Sequence, residues 1–182
     1  MDLTGRRVLI TGGSSGIGLA SAKAMLAKGA RVVITGRRAD ALAEAVDDLA
    51  RPDCDISGVA ADVGTSEGRM TTIEGALAKL GGLDILVNNA GVVRAGRLEQ
   101  VAESDIRTMV EVDLLAPILL TRAALPALRQ GGNSLIVHVS SGIGLIGTPF
   151  YTTYSAVKAG LAHFGEALRR ELLGEGIHVL TA

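Results

Sequence analysis

The chain has no tryptophan, two phenylalanines, two tyrosines and a single cysteine in 182 residues. Aromatics make up 2% and the net charge is −1, from interspersed acidic and basic residues. Neither a base-stacking platform nor a phosphate-tracking basic face is in view, so nucleic acid is not an expected partner. The lone Cys54 excludes an intrachain disulfide framework and a cysteine-rich zinc site, and its setting between Asp53 and Asp55 puts no base beside the thiol. His163 and His178 have no matching acidic or cysteine cluster, and His138 lies in a buried-looking apolar run, so no metal is expected. No apolar run reaches membrane-spanning length, and MDLTGRRVLITGG lacks the order of a signal peptide; a cytoplasmic location is the expectation.

What is present is a 48% apolar composition, ample for one buried core, and residues 1–182 are expected to form a single domain. Short β-branched runs (RVLI, RVVIT, SGVAAD, LDILVNN, SLIVHVS and the beginning of a sixth, IHVLTA) alternate with Ala/Leu-rich helical stretches, among them residues 19–27, 39–50, 69–80 and 156–173. Strands that are apolar at nearly every position are buried on both faces. The pattern therefore predicts an α/β fold, a doubly wound parallel sheet with helices on both faces. A long helical element over about 103–129 contains Pro117 and Pro126, where a kink or an early end is expected. Ligands of such sheets bind beyond the carboxyl ends of the strands, and the unusual residues of this chain fall there.

After the first strand comes TGGSSGIG, residues 11–18. Its glycines allow a sharp turn and close approach of a ligand, and the free amides of a helix start favour an anion such as pyrophosphate. The spacing of Gly12, Gly16 and Gly18 is G-x-x-x-G-x-G rather than G-x-G-x-x-G, so a tight strand-to-helix connection remains an alternative. The second strand ends in ITGRRAD, which places Arg37 and Arg38 where a carboxylate would favour NAD(H) and an arginine a 2'-phosphate. That favours NADP(H) over NAD(H), the alternative being a solvated arginine pair. In YTTYSAVKAG, Tyr154 stands four residues before Lys158, one of four lysines. On a helix the two share a face, and an ammonium beside a phenol lowers its pKa. The pair reads either as a proton-moving phenol or as a surface tyrosine lying on a lysine stem.

Taken in order, Thr11-Gly12-x-x-x-Gly16-Ile17-Gly18, then NNAG at Asn88 to Gly91, then Ser141 thirteen residues before Tyr154 with Lys158 four beyond, resemble the short-chain dehydrogenase/reductase family over Leu3 to Ala182. The resemblance implies a Rossmann-type domain and hydride transfer between NADP(H) and a carbonyl or secondary-alcohol substrate. Gly12, Ser14, Ser15, Gly16, Ile17 and Gly18 would line the pyrophosphate and adenosine, Asp62 and Val63 the adenine edge, and Asn89, Ala90 and Gly91 the inner cofactor surface. Tyr154 would be the acid/base and Ser141 would hold the substrate oxygen. Lys158 would bind the nicotinamide ribose and lower the Tyr154 pKa. A homotetramer or homodimer built on the helices of about 103–129 and 152–173 is also implied.

Two departures qualify the resemblance. Within MVEVDLLAP the chain carries Asp113 where the family commonly has a catalytic Asn. Its backbone carbonyl would still serve a water relay; a carboxylate aimed at Lys158 would instead disfavour phenolate, and one turned to another donor would leave only the backbone to matter. The sequence also ends at GIHVLTA, before the Pro-Gly turn, substrate-covering segment and last strand of the family, so an open pocket is expected unless a longer chain completes it. The alternative to an enzyme is a nicotinamide-cofactor-binding scaffold or sensor with little turnover.

Overall fold

The computed structural model of the chain describes residues 2–182. Strands β1 (Arg7–Thr11), β2 (Arg31–Gly36), β3 (Asp55–Ala60), β4 (Ile85–Asn88), β5 (Ser134–His138) and β6 (Ile177–Thr181) alternate with helices α1 (Gly16–Leu26), α2 (Ala39–Leu49), α3 (Ser66–Leu80), α4 (Glu103–Val110), α5 (Ala116–Gly131) and α6 (Thr152–Glu171). All pairings are parallel and the sheet order is β3-β2-β1-β4-β5-β6. The order reverses between β1 and β4, and a crevice opens at the carboxyl ends of those two strands.

The β1, β2 and β4 runs are apolar at successive positions because both faces of the sheet are covered there. Val8, Ile10, Val32 and Ile34 pack with α1 and α2, while Leu9, Val33 and Leu86 face α3 and α5. Fully burying a side chain such as Leu9 or Ile34 contributes about 1.5–3 kcal/mol, against roughly 0–1 kcal/mol for an exposed ion pair such as Arg107–Glu103, so the two apolar layers dominate. The expectation of burial on both faces fails at β5 and β6. Their residues alternate, because α5 and α6 cover the face of Ile136 and Val179, while on the other face Leu135 and Val137 are half-buried against the cluster around Val8 and Ile85 and His178 and Leu180 are exposed.

Other differences have local causes. The third strand is displaced toward the N-terminus of SGVAAD, because Asp62 belongs to the turn that starts α3: its Oδ1 accepts from the Gly64 amide at 2.9 Å and its carbonyl from the Thr65 amide. The long element does not end at Pro126, which lies inside α5 on the turn after the exposed Arg122. It is interrupted earlier, by a π turn over Glu111–Leu115 directly before α5, with Pro117 in the first turn of that helix. Proline at that place deprives Asp113 of the amide that would bond its carbonyl in a regular α-helix, which favours a widened turn there.

Under the sheet's carboxyl end lies a buried polar group. The Asn88 side-chain amide donates to Thr121 Oγ1 at 3.0 Å and stands 3.2 Å from His138 Nδ1, and His138 also meets Phe164 edge-on. Burial lowers the His138 pKa from 6.5 to about 4. The unfolded chain therefore takes up this proton first. The stability that neutral His138 confers is complete above pH 6.5 and is lost as pH falls toward 4, an amount of about 3 kcal/mol. Urea unfolding at pH 7 and pH 4.5 is expected to show a steeper acid loss for the parent chain than for His138→Gln; equal losses would contradict a neutral buried imidazole.

Candidate active site

The crevice is a cavity of about 490 Å³ that takes in residues from the ends of β1 to β5 and from α6. At its β1 end, Gly12 and Gly16 have φ of +66° and +55°, conformations that favour glycine. A Cβ at Gly12 would stand 2.8 Å from the Ala90 Cα, so this glycine lets two loops meet. Gly18 is buried, and a side chain there would collide with the Gly12 carbonyl and the Asn89 amide. Gly12, Ser14, Ser15 and Ile17 line the cavity, while Gly16 and Gly18 shape the loop around it.

The start of α1 differs from that of α3. Thr65 caps α3 by accepting from the Gly68 amide, and Glu67 lies in its first turn. Ser15, at the head of α1, caps nothing, and no acidic residue occupies the first turn. The first amides of α1 are left for an anion, and the helix dipole favours one. Beside it Ser14 packs on Gly36, the last residue of β2, with the exposed Arg37 and Arg38 next along the chain. Both arginines line the cavity, and neither makes an ion pair among the described residues. Asp62 and Val63 border the same end, one carboxylate oxygen of Asp62 being held by Gly64.

Asn89, Ala90 and Gly91 form the middle of the wall. The amides of Asn89 and Ala90 both donate to Thr11 Oγ1 at 3.0 Å, and the Asn89 side chain donates to the Thr11 and Gly12 carbonyls at 2.9 and 3.1 Å. Thr11 thus ties the end of β1 to the loop after β4. Sequence reasoning did not single out this organising role; the only signal was a hydroxyl at the last position of an otherwise apolar strand.

At the far end, α6 starts at Thr152, earlier than the Ala/Leu-rich run indicates, which puts Tyr154 in its first turn and Lys158 one turn on. The Lys158 ammonium lies 5.6 Å from the Tyr154 ring centroid, and both side chains line the cavity. The loop after β5 closes on α6 because Gly144 packs on the Lys158 backbone, where a Cβ would come within 2.9 Å. Ser141, at the head of the turn Gly142–Gly144, is thereby brought beside Tyr154, although it does not itself line the cavity. Two contacts not foreseen hold the lysine: its ammonium donates to the Val139 carbonyl at 3.0 Å, and Ser140 Oγ donates to the Lys158 carbonyl at 3.1 Å.

Asp113 lies behind this wall, within the π turn and 1% exposed. Its Oδ2 accepts from the Val92 amide at 3.0 Å, and its Oδ1 stands 3.1 Å from the Lys158 ammonium. The carboxylate thus meets a backbone donor and the lysine at once. Burial pushes its pKa up, against the pull of the Val92 amide and of Lys158. At Tyr154 burial first, then the Asp113 carboxylate, push the phenol above its ordinary value, with the Ser141 hydroxyl opposing, whereas Lys158 alone would act in the other direction. An ammonium already paired with a carboxylate presents little net charge to its neighbour.

Comparison with known proteins agrees with this arrangement. The family described as short chain dehydrogenase matches residues 6–182. A ketoacyl reductase of Nostoc sp. is 33% identical over 177 residues, 97% of this chain and 62% of that protein. A 3-dehydrosphinganine reductase of Arabidopsis thaliana is 38% identical over 178 residues, 96% of this chain and 53% of that one. The chain thus spans a little over half the length of these relatives. The crystal structure of an L-sorbose reductase from Gluconobacter frateurii, complexed with NADPH and L-sorbose, superposes with a TM-score of 0.94 at 33% identity, covering 100% of this chain and 70% of that one. Sequence, sheet order and crevice agree, and the chain belongs to the short-chain dehydrogenase/reductase family.

Proposed function

We propose that the chain carries the nucleotide site and the proton-transfer group of an NADP(H)-preferring oxidoreductase acting on a carbonyl or secondary-alcohol substrate. The observation that carries this reading is the single crevice with an uncapped helix start and two unpaired arginines at one end and Tyr154 with Lys158 at the other. The residues fit a dinucleotide. The Gly12 turn leaves the backbone bare, a Cβ at Gly16 would meet nothing within 4 Å, and no carboxylate stands at the end of β2. In this reading the amides after Ser15 hold the pyrophosphate, and Ser14, Arg37 and Arg38 receive a 2'-phosphate. Asp62 and Val63 border the adenine, Asn89 to Gly91 form the inner wall, and Lys158 meets the nicotinamide ribose. A bound nicotinamide supplies the hydride that no protein side chain can donate. Tyr154 gives its proton to the carbonyl oxygen during reduction and takes one from the alcohol in oxidation, and Ser141 orients that oxygen.

Following nicotinamide absorbance across a panel of ketones and alcohols, with NADPH and NADH in parallel, tests the proposal. Turnover of at least one carbonyl with NADPH is expected, and binding without turnover of any substrate would favour the scaffold reading. Arg37→Ala is expected to weaken NADPH by roughly 10- to 100-fold in Kd, the worth of charge-assisted hydrogen bonds, and to leave NADH almost unchanged. Equal weakening of both would refute the preference. A homo-oligomer built on α4, α5 and α6 is part of the same reading, and a monomer in sedimentation at micromolar concentration would count against it.

A further inference from the structure

The carboxylate behind Lys158 bears on the protonation state of Tyr154. Asp113 and Lys158 form a buried ion pair, 0% and 5% exposed at their side chains, and the carboxylate cannot easily swing away. Its second oxygen is held by the Val92 amide, and Gly91 lies so close that a Cβ there would come within 2.7 Å of Oδ1. Lys158 is held equally firmly through the Val139 carbonyl. The ammonium that would draw a proton off Tyr154 therefore faces its counter-ion one helical turn from the phenol.

We propose that the Asp113 carboxylate, by compensating Lys158, keeps the Tyr154 phenol in its proton-donating form at neutral pH, the form from which carbonyl reduction starts. The link to reduction rests on the acid/base role proposed for Tyr154. Reduction adds a hydride at the carbonyl carbon, two electrons and one hydrogen drawn from a reduced nicotinamide. It adds a proton at oxygen from the Tyr154 hydroxyl, whose phenolate recovers a proton from solvent. That route needs the phenol protonated at the outset. Oxidation runs the same transfers backward and needs phenolate, which a compensated ammonium does not favour.

Among the described residues no other charge near the phenol offers a substitute for the lysine. Arg37, Arg38 and Asp62 sit at the β2 and β3 ends of the sheet, two or more strands from β5. Arg94, after β4, is paired with Asp105, and the Ser141 hydroxyl carries no charge. On β5, His138 is neutral above about pH 4. His163, on the phenol's own helix, lies more than two turns away along α6.

The composition makes the test direct. With two tyrosines and no tryptophan, Tyr151→Phe leaves Tyr154 as the only phenol whose ionisation alters the near-ultraviolet spectrum. At pH ~10, the ordinary midpoint of tyrosine, less than half of Tyr154 is expected to be ionised in that chain. Adding Asp113→Asn, which keeps the shape and the acceptor for Val92, is expected to move the midpoint down by about one pH unit or more. A Tyr154 more than half ionised at that pH overturns the proposal, as does a midpoint unmoved by Asp113→Asn. If the double variant does not fold, Asp113→Ser in the same Tyr151→Phe chain removes the same charge and supplies the second midpoint. Neither reading involves cofactor or substrate, so absence of turnover would defeat the proposed function without touching this titration.

Discussion

Tyr154→Phe is expected to lower turnover by about 10²-fold or more, while NADPH still raises the thermal midpoint by nearly the parental amount. The ring is half-buried in the first turn of α6, and its hydroxyl meets the Ser141 side chain at the head of a short turn. Removing that oxygen leaves packing in place and deletes the group that exchanges a proton with the substrate. Steady-state rates together with thermal shifts separate the two effects. Near-parental turnover would defeat the assignment of Tyr154, and a lost thermal shift would mean that the phenol holds cofactor rather than moving protons.

Lys158→Met is expected to do more damage, and in two independent ways. It removes the ammonium assigned to the ribose, so the thermal shift with NADPH should largely disappear. It also strands the Asp113 carboxylate, 1% exposed, with only the Val92 amide. Breaking one side of a buried pair typically costs about 3–5 kcal/mol, and urea unfolding at pH 7 should register a loss on that scale. The pH dependence gives the cause away. Burial already raises the Asp113 pKa, and without Lys158 it rises further, so the folded variant takes up a proton before the unfolded chain does. Its deficit against the parent should therefore shrink as the solution is acidified, and Asp113→Asn added to Lys158→Met should restore much of the loss at neutral pH. A deficit that is constant with pH, or that the second substitution deepens, would show that the lysine's aliphatic stem and not its charge holds this corner together.

The alternation of strand and helix was legible because it rests on local physics. β-Branched apolar runs occupy a covered parallel sheet, and Ala/Leu-rich stretches occupy the crossovers. All six strands and the Tyr154 helix were readable, with errors at the ends. Those errors fall at Asp62, recruited into the turn before α3, and at Thr152, where α6 begins ahead of its helix-favouring run. The π turn at Glu111–Leu115 was not legible beyond the warning given by Pro117, since a widened turn is chosen by what packs against both of its ends.

The sequence by itself determined the family and the parallel sheet, because glycine spacing, the alternation of strand and helix and the Tyr154 to Lys158 interval are properties of the chain read in one dimension. Only the tertiary structure decided what the residues at the crevice do to one another. Asp113 and Lys158 are 45 positions apart, and nothing local states that the carboxylate will lie 3.1 Å from the ammonium rather than in solvent. Burial of the phenol, and after it that carboxylate, push the Tyr154 pKa up, because a pKa follows burial and the net charge of its surroundings in space, and both exist only once β4, the π turn and α6 have packed together.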